Sequence, residues 1–402
     1  MKLGSASAEG KLAVVLAITL GLWVVGTLKA EGQTFSVIHN FTYGNDGANP
    51  LSGLSYGGGN FFGTTNSGGS SGVGTVFRVT TTGALTALHE FSGGADGANP
   101  QGRLAYRGGY FYGTTTAGGA SNAGTVFKIT GKGVETVLYS FTGKVDGATP
   151  VAGVAFDKVG NLYGTTTAGG GNGNGTVFKL ALPTAKGGAW AEETLYGFGT
   201  GTDGAVPIAG VTLDASNNIY GTTSAGGAYG NGTVFELSPS TSGWTESILH
   251  DFQLGTDGGV PYAGLVIEGT NTLYGASTEG GAGGQSGGGT IFELTKTDST
   301  WTFNTLYALS GWGISGSYRN LLVVSDKIYA TTHCDGPDGS GTVYDLTKSG
   351  TTWTYNPLYT FTGGRDGMYS ISNLAADTKG NLYGVTLYGG ANGYGVIFKV
   401  TP

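Results

Sequence analysis

Beyond residue 34 the apolar residues fall in short clusters bounded by Gly, Asn, Asp and Pro, and none keeps a 3.6-residue period. That pattern excludes long amphipathic helices and predicts short strands joined by tight turns. The clusters repeat. An aromatic-Gly-Thr-Thr-like element recurs with its aromatic at Phe62, Tyr112, Tyr163, Tyr220, Tyr274, Tyr329 and Tyr383, at spacings of 50, 51, 57, 54, 55 and 54 residues. A Gly-rich stretch follows each copy, then a strand such as Gly124–Ile129, then a segment ending L-Y/H-x-F such as Leu138–Phe141. A DGAxP-like loop closes the unit and leads into an apolar run such as Gly153–Phe156. Each unit thus offers four strands, a (GVAF), b (NLYGTT), c (GTVFKI) and d (VLYSF). Tandem four-stranded units of about 50 residues are the signature of propeller blades.

The ends of the repeat region bear on closure. Residues 35–41 form a d strand with no a, b or c before it, and the last unit, 371–402, stops after its c strand Val396–Val400. The expected architecture is an all-β, seven-bladed β-propeller over residues 34–402, its last blade completed by the N-terminal strand. Such closure removes the free sheet edges that invite aggregation.

Glycine supplies 81 of 402 residues, but no Gly-X-Y period runs through the chain, so it is not collagen-like. With 39% apolar and 11% charged residues it is not disordered by composition either. Lys2 and Lys11 precede an apolar run from Leu12 to Gly26, with Ala30 beyond it, which reads as a secretory signal over residues 1–30. The run is short of the ~18 apolar residues a membrane span needs. A secreted or cell-envelope location is expected, with no membrane contact apart from the signal. Removing residues 1–30, with three lysines and one glutamate, takes the net charge from −7 to −9. With no Lys/Arg cluster, a nucleic-acid partner is not expected. The single Cys334 excludes an internal disulfide framework. A monomer is expected.

The repeated LYGTTxxGGxxGxGTVFxL resembles the GloVer tandem-repeat family of exported bacterial proteins, across residues 35–402. The resemblance implies a repeat scaffold and no activity. A looser likeness is to kelch repeats, through the Gly-Gly after strand b and the tryptophans Trp190, Trp244, Trp301 and Trp353, each six residues before the Tyr/His of strand d. Even spacing places each Trp on the same face as that Tyr/His.

Candidate chemistry has to be separated from the repeat itself. His39, His89 and His250 occupy the d-strand position held elsewhere by Tyr139, Tyr196, Tyr307 and Tyr359, which marks them as packing residues. Asp46, Asp96, Asp146, Asp203, Asp257 and Asp366 open the d-to-a loops; they could bind calcium, but one Asp per loop suits an Asx-type turn. The Gly-rich loops such as Gly169–Gly175 lack the following helix that a phosphate cradle requires. No catalytic set and no metal set emerges.

Blade 6 breaks the pattern. Its preceding loop is Gly311–Asn320, with Trp312, Tyr318 and Arg319, and its b–c loop is His333–Gly341, with His333, Cys334, Asp335 and Asp338. Both loops should emerge on one face, making Trp312, Tyr318, Arg319, His333, Asp335 and Asp338 the candidate ligand site. Asn320 and Asn373 replace the Gly that opens strand a, and Asn tolerates positive φ. The expected function is a non-catalytic exported module that binds a glycan or a surface protein through its loop face. The alternative is a polysaccharide lyase or hydrolase with one site near blade 6 or the central channel, for which Asp335 and Asp338 would have to face one cleft.

Overall fold

The computed structural model describes residues 33–402 except 200, 242 and 312–315. The segment expected to be a signal, residues 1–30, and Trp312 lie outside the described residues. Seven four-stranded antiparallel sheets are arranged as a seven-bladed β-propeller, and the only helical turn among the described residues is Gly284–Ser286. Blade 3 is representative, with strands Ala155–Phe156, Leu162–Thr166, Thr176–Ala181 and Ala191–Gly197 from the inside outward. Blade 7 combines Ala375–Ala376, Leu382–Thr386 and Val396–Thr401 with the N-terminal strand Thr34–Asn40, which pairs antiparallel to Val396–Thr401.

The recurring residues each have a job in this geometry. In Leu162–Thr166 every side chain is buried, because the strand is sandwiched between neighbouring blades. The Thr-Thr pair supplies the hydrogen bonds that such burial demands. Thr166 Oγ1 lies 2.9 Å from Thr176 Oγ1 and donates to the Ala168 carbonyl, tying strand b to strand c. Thr165 Oγ1 donates to the Ala209 carbonyl of the next blade at 2.8 Å, and Thr114, Thr222 and Thr331 make the equivalent bond. The Gly before this pair admits an aromatic ring: a Cβ on Gly164 would lie 2.6 Å from Cζ of the fully buried Phe178. The Phe that ends six of the seven d segments (Leu309 replaces it in blade 5) then packs edge-on against the next blade's ring, as Phe141 does on Phe178 (5.1 Å) and Phe41, from the N-terminal strand, on Phe77 (5.5 Å).

One expectation is overturned. Every d strand carries a bulge opposite strand c, as between Val177 and Phe178 or between Val37 and His39. An extra residue inverts the alternation beyond it. Trp301 therefore meets Tyr220 and Glu236 of the preceding blade, whereas the d-position ring points the other way, as when His250 stacks on Phe303 of the following blade (3.8 Å). The tryptophans and the d-position aromatics lie on opposite faces, and both are inter-blade packing residues.

Candidate functional site

The inner strands converge on a central cavity of about 360 Å³, to which all seven blades contribute. Two consecutive residues just upstream of each a strand set its width. At the first position stand Ser52, Gly102, Ala152, Ala209, Ala263, Arg319 and Ser372; at the second stand Gly53, Arg103, Gly153, Gly210, Gly264, Asn320 and Asn373. Small residues predominate because adjacent blades touch here, backbone to backbone. A Cβ on Gly53 would collide with the Asn373 carbonyl, and one on Gly153 with the Arg103 carbonyl. None of these glycines has positive φ, and neither do Asn320 and Asn373. The expectation that Asn stands there for its left-handed tolerance is thus corrected: close approach, not backbone sign, selects Gly.

Asn320 and Asn373 knit this ring together. Asn320 Oδ1 accepts from the Gly264 N–H at 3.0 Å, and Asn373 Nδ2 donates to the Asn320 carbonyl at 3.3 Å. Arg103 Nε donates to the Leu54 carbonyl at 3.1 Å. Arg319 occupies the position where five other blades bury a Ser or Ala, and its side chain lines the cavity. Blade 5 has Ala276, and blade 7 Val385, where the other five blades have Thr, so no hydroxyl reaches across at the Arg319 step.

A second cavity of about 370 Å³ shares Gln101, Tyr262 and Arg319 with the first and is bordered by Val151, Thr167 and Val206 from the d–a and b–c loops. The channel thus widens onto the loop face. Tyr262 and Tyr318 lie at this mouth, ring centroids 5.2 Å apart. Tyr318 continues to His333 (5.0 Å), and His333 to Tyr369 (4.5 Å), giving a run of four partly exposed rings across blades 5 to 7.

Of the residues singled out from the sequence, Tyr318, Arg319 and His333 come together at this mouth. The two aspartates do not share a cleft. Asp335 is turned inward, accepting from Thr332 Oγ1 and from Tyr355 OH, and burial raises its pKa. Asp338 is exposed. The Cys334 thiol lies 2.6 Å from His333 Nδ1, but burial, and then the Asp335 charge, push its pKa up, the reverse of what a nucleophilic thiolate needs. Sequence reasoning missed Arg103, Gln101, Tyr262 and Tyr369. Arg103 was findable, since it shares a register with the Gly-to-Asn exchanges at 320 and 373.

The loop aspartates are engaged locally. Asp146 accepts from Thr142 N–H and Oγ1 and from Tyr139 OH, and Asp46, Asp96 and Asp257 meet His39, His89 and His250 at 3.0–3.2 Å in the same way. Among the described residues no group of three His, Cys, Asp or Glu gathers at metal-binding distance. Glu135 and Glu246 sit beside the preceding blade's Asp96 and Asp203, and burial, with the neighbouring charge adding to it, pushes each up to about 7. Tyr196 OH bridges Asp203 and Glu246, though its one proton can satisfy only one of them. A carboxyl whose folded pKa is raised costs nothing at pH 4 and disfavours the fold progressively from about pH 4.5 to 7. Glu135→Gln and Glu246→Gln should therefore melt like the parent at pH 4.5 and higher at pH 8. The gain should be on the order of 1 kcal/mol each, reduced for partial exposure. Melting curves at the two pH values check this, and an equal shift at both would refute it.

Comparison with known proteins now fixes the family. A model of the Gloeobacter/Verrucomicrobia repeat matches residues 23–215, 144–325 and 282–402. The chain belongs to that repeat family. No curated protein matches it in sequence. Among solved structures, a putative 6-phosphogluconolactonase from Bacteroides uniformis is similar at 16% identity and a TM-score of 0.52, over 84% of this chain and 89% of that one. A family PL25 ulvan lyase bound to a GlcA–Rha3S unit is similar at 12% identity and a TM-score of 0.51, over 89% and 94%. At such identities the likeness is one of fold alone.

Proposed function

We propose that this propeller is an exported, non-catalytic glycan-binding module whose site is the mouth of its channel on the loop face of blades 5 to 7. The observation that carries the reading is the ring run Tyr262–Tyr318–His333–Tyr369 beside a cavity of about 370 Å³. Adjacent partly exposed rings offer apolar platforms for the C–H faces of sugars, while Gln101 and Arg319 supply donors for hydroxyls. The inward-turned Asp335 and the raised thiol of Cys334 weigh against a hydrolase at blade 6. Location in the cell envelope or outside the cell rests on the residue 1–30 segment.

The test is an oligosaccharide array followed by titration of the best ligand against the protein from residue 33, with calcium and with a chelator. Tyr262→Ala and Tyr318→Ala should each weaken binding about tenfold, the loss expected of one stacking contact. Unchanged affinity in both variants, or binding that a surface protein but no glycan supports, would overturn the reading.

A further inference from the structure

The channel is electrostatically at odds with the rest of the molecule. Residues 31–402 carry a net charge of −9, yet no Asp or Glu lines the central cavity, which holds two guanidinium groups. Among the described residues neither Arg103 nor Arg319 has a carboxylate within ion-pair distance. Residues 312–315, which precede Arg319, include no carboxylate. Arg103 spends one donor on a backbone carbonyl, and Arg319 Nε is buried with no partner.

A cation with part of its guanidinium buried and no counter-charge, as at Arg319, is costly, and two cations in one cavity also repel each other. The stress registers at Arg319, where desolvation pushes the pKa down to about 10, while Arg103 keeps much of its surface exposed. Nothing in the repeat demands either residue. Arg319 stands where the other blades have Ser, Gly or Ala, and Arg103 where four have Gly. The donors left over are planar forks, the geometry that grips carboxylates and sulfate esters bidentately.

From this we infer that the central channel is an anion-recognition site, taking a carboxylate or sulfate group of a sugar through Arg103 and Arg319, with Gln101 and Asn320 as neutral neighbours. The inference deepens the glycan reading above by naming an acidic sugar as the ligand class. The channel accepts the acid group while the ring run at the mouth carries the adjoining sugar faces. Arg319, which borders both cavities, joins the two.

The test uses the protein from residue 33 with inorganic sulfate, glucuronate, uronate oligosaccharides, sulfated oligosaccharides and their neutral counterparts, read by calorimetry and thermal shift. Sulfate or glucuronate should raise the melting temperature of the parent, and affinity for acidic oligosaccharides should exceed that for neutral ones at least tenfold. It should also fall with added salt. Arg319→Met and Arg103→Met should lose at least tenfold in that affinity. Without ligand, Arg319→Met should melt no lower than the parent, because it removes an uncompensated charge. Arg319→Lys, which keeps the charge but not the fork, should recover only part of the binding. The sulfated and uronate arms decide which acid group is preferred. Equal affinity for neutral and acidic sugars, unchanged in both Met variants, would sink the anion inference and leave the glycan reading intact. A thermal response to sulfate, lost in the Met variants, with no sugar bound, would do the opposite.

Discussion

A chain beginning at Thr42 should fail to form a monomeric ring. The strand Thr34–Asn40 is the only outer strand that blade 7 has, hydrogen-bonded along Val396–Thr401 with Thr34 opposite Thr401 and Asn40 opposite Val396. Its loss bares an edge of unpaired N–H and C=O groups, a template for pairing with other chains. It also removes Phe41, fully buried against Phe77 of blade 1, and Phe35, stacked at 3.6 Å on Tyr359 of blade 6. Truncating one buried Phe costs about 3–5 kcal/mol, against a total stability of roughly 5–15 kcal/mol for a folded domain. The deletion takes both rings and a ladder. The expected product is aggregated or oligomeric, with no cooperative melt, by size-exclusion chromatography and circular dichroism against a chain beginning at residue 33. Because Thr34 and Thr401 are opposed, residues 33–42 attached beyond Pro402 through a short hairpin turn should restore the monomer. A soluble monomer that melts within a few degrees of the reference without any such strand would show that the blade 7 strand does not hold the ring shut.

Closure was legible in the sequence because it is a matter of counting: seven a–b–c sets and seven d strands leave nothing over. The strand positions were legible too, since the Thr-Thr and Gly-Thr-Val-Phe elements are fixed by burial on both faces, and a residue buried on both faces has few alternatives. The d-strand bulge was not. It adds one residue that is an ordinary Leu or Ile in each copy, such as Leu195 or Ile38, and no Gly or Pro marks it except in blade 6, where Pro357 precedes Leu358. Missing it put the tryptophans on the wrong face. The candidate site was half legible. Tyr318, Arg319 and His333 drew notice by departing from the repeat, whereas Tyr262 hides at a register that holds Leu51, Val151, Ile208 and Ile371 in other blades, where one more apolar-looking residue raises no signal. Asp335 also broke the pattern, yet its hydrogen bonds to Thr332 and Tyr355 serve the loop it stands in. Departure from a repeat finds places where selection has acted on something local; it does not separate a ligand contact from a local repair.

Gly153→Ala should be among the most damaging single-methyl additions this protein can receive. Its new Cβ would overlap the Arg103 carbonyl oxygen of the preceding blade, and a backbone carbonyl cannot swing away as a side-chain tip can. Three blades do carry a Cβ at this step, in Arg103, Asn320 and Asn373, so the ring opens where its sequence requires; at Gly153 it is closed. Forcing it apart moves blade 3 against blade 2 and passes the displacement to every other interface, because a closed ring has no free end to absorb it. Overpacking of this kind costs about 3 kcal/mol, a fall of roughly 4 °C in melting temperature for a chain of this size. Two alanines serve as comparisons. At Gly210 the nearest atom to a new Cβ is the Gly153 carbonyl oxygen at 3.0 Å, so Gly210→Ala should cost distinctly less. At Gly171, with no atom within 4 Å and ordinary φ, Gly171→Ala should be close to neutral. The order Gly153, Gly210, Gly171 in chemical denaturation is the expected result. Equal losses at all three would mean that glycine is chosen near the channel for backbone freedom rather than for the approach of neighbouring blades. Since that approach also sets the channel's width, a destabilised Gly153→Ala that folds at low temperature should bind acidic sugars more weakly as well, with Arg103 displaced along with its carbonyl.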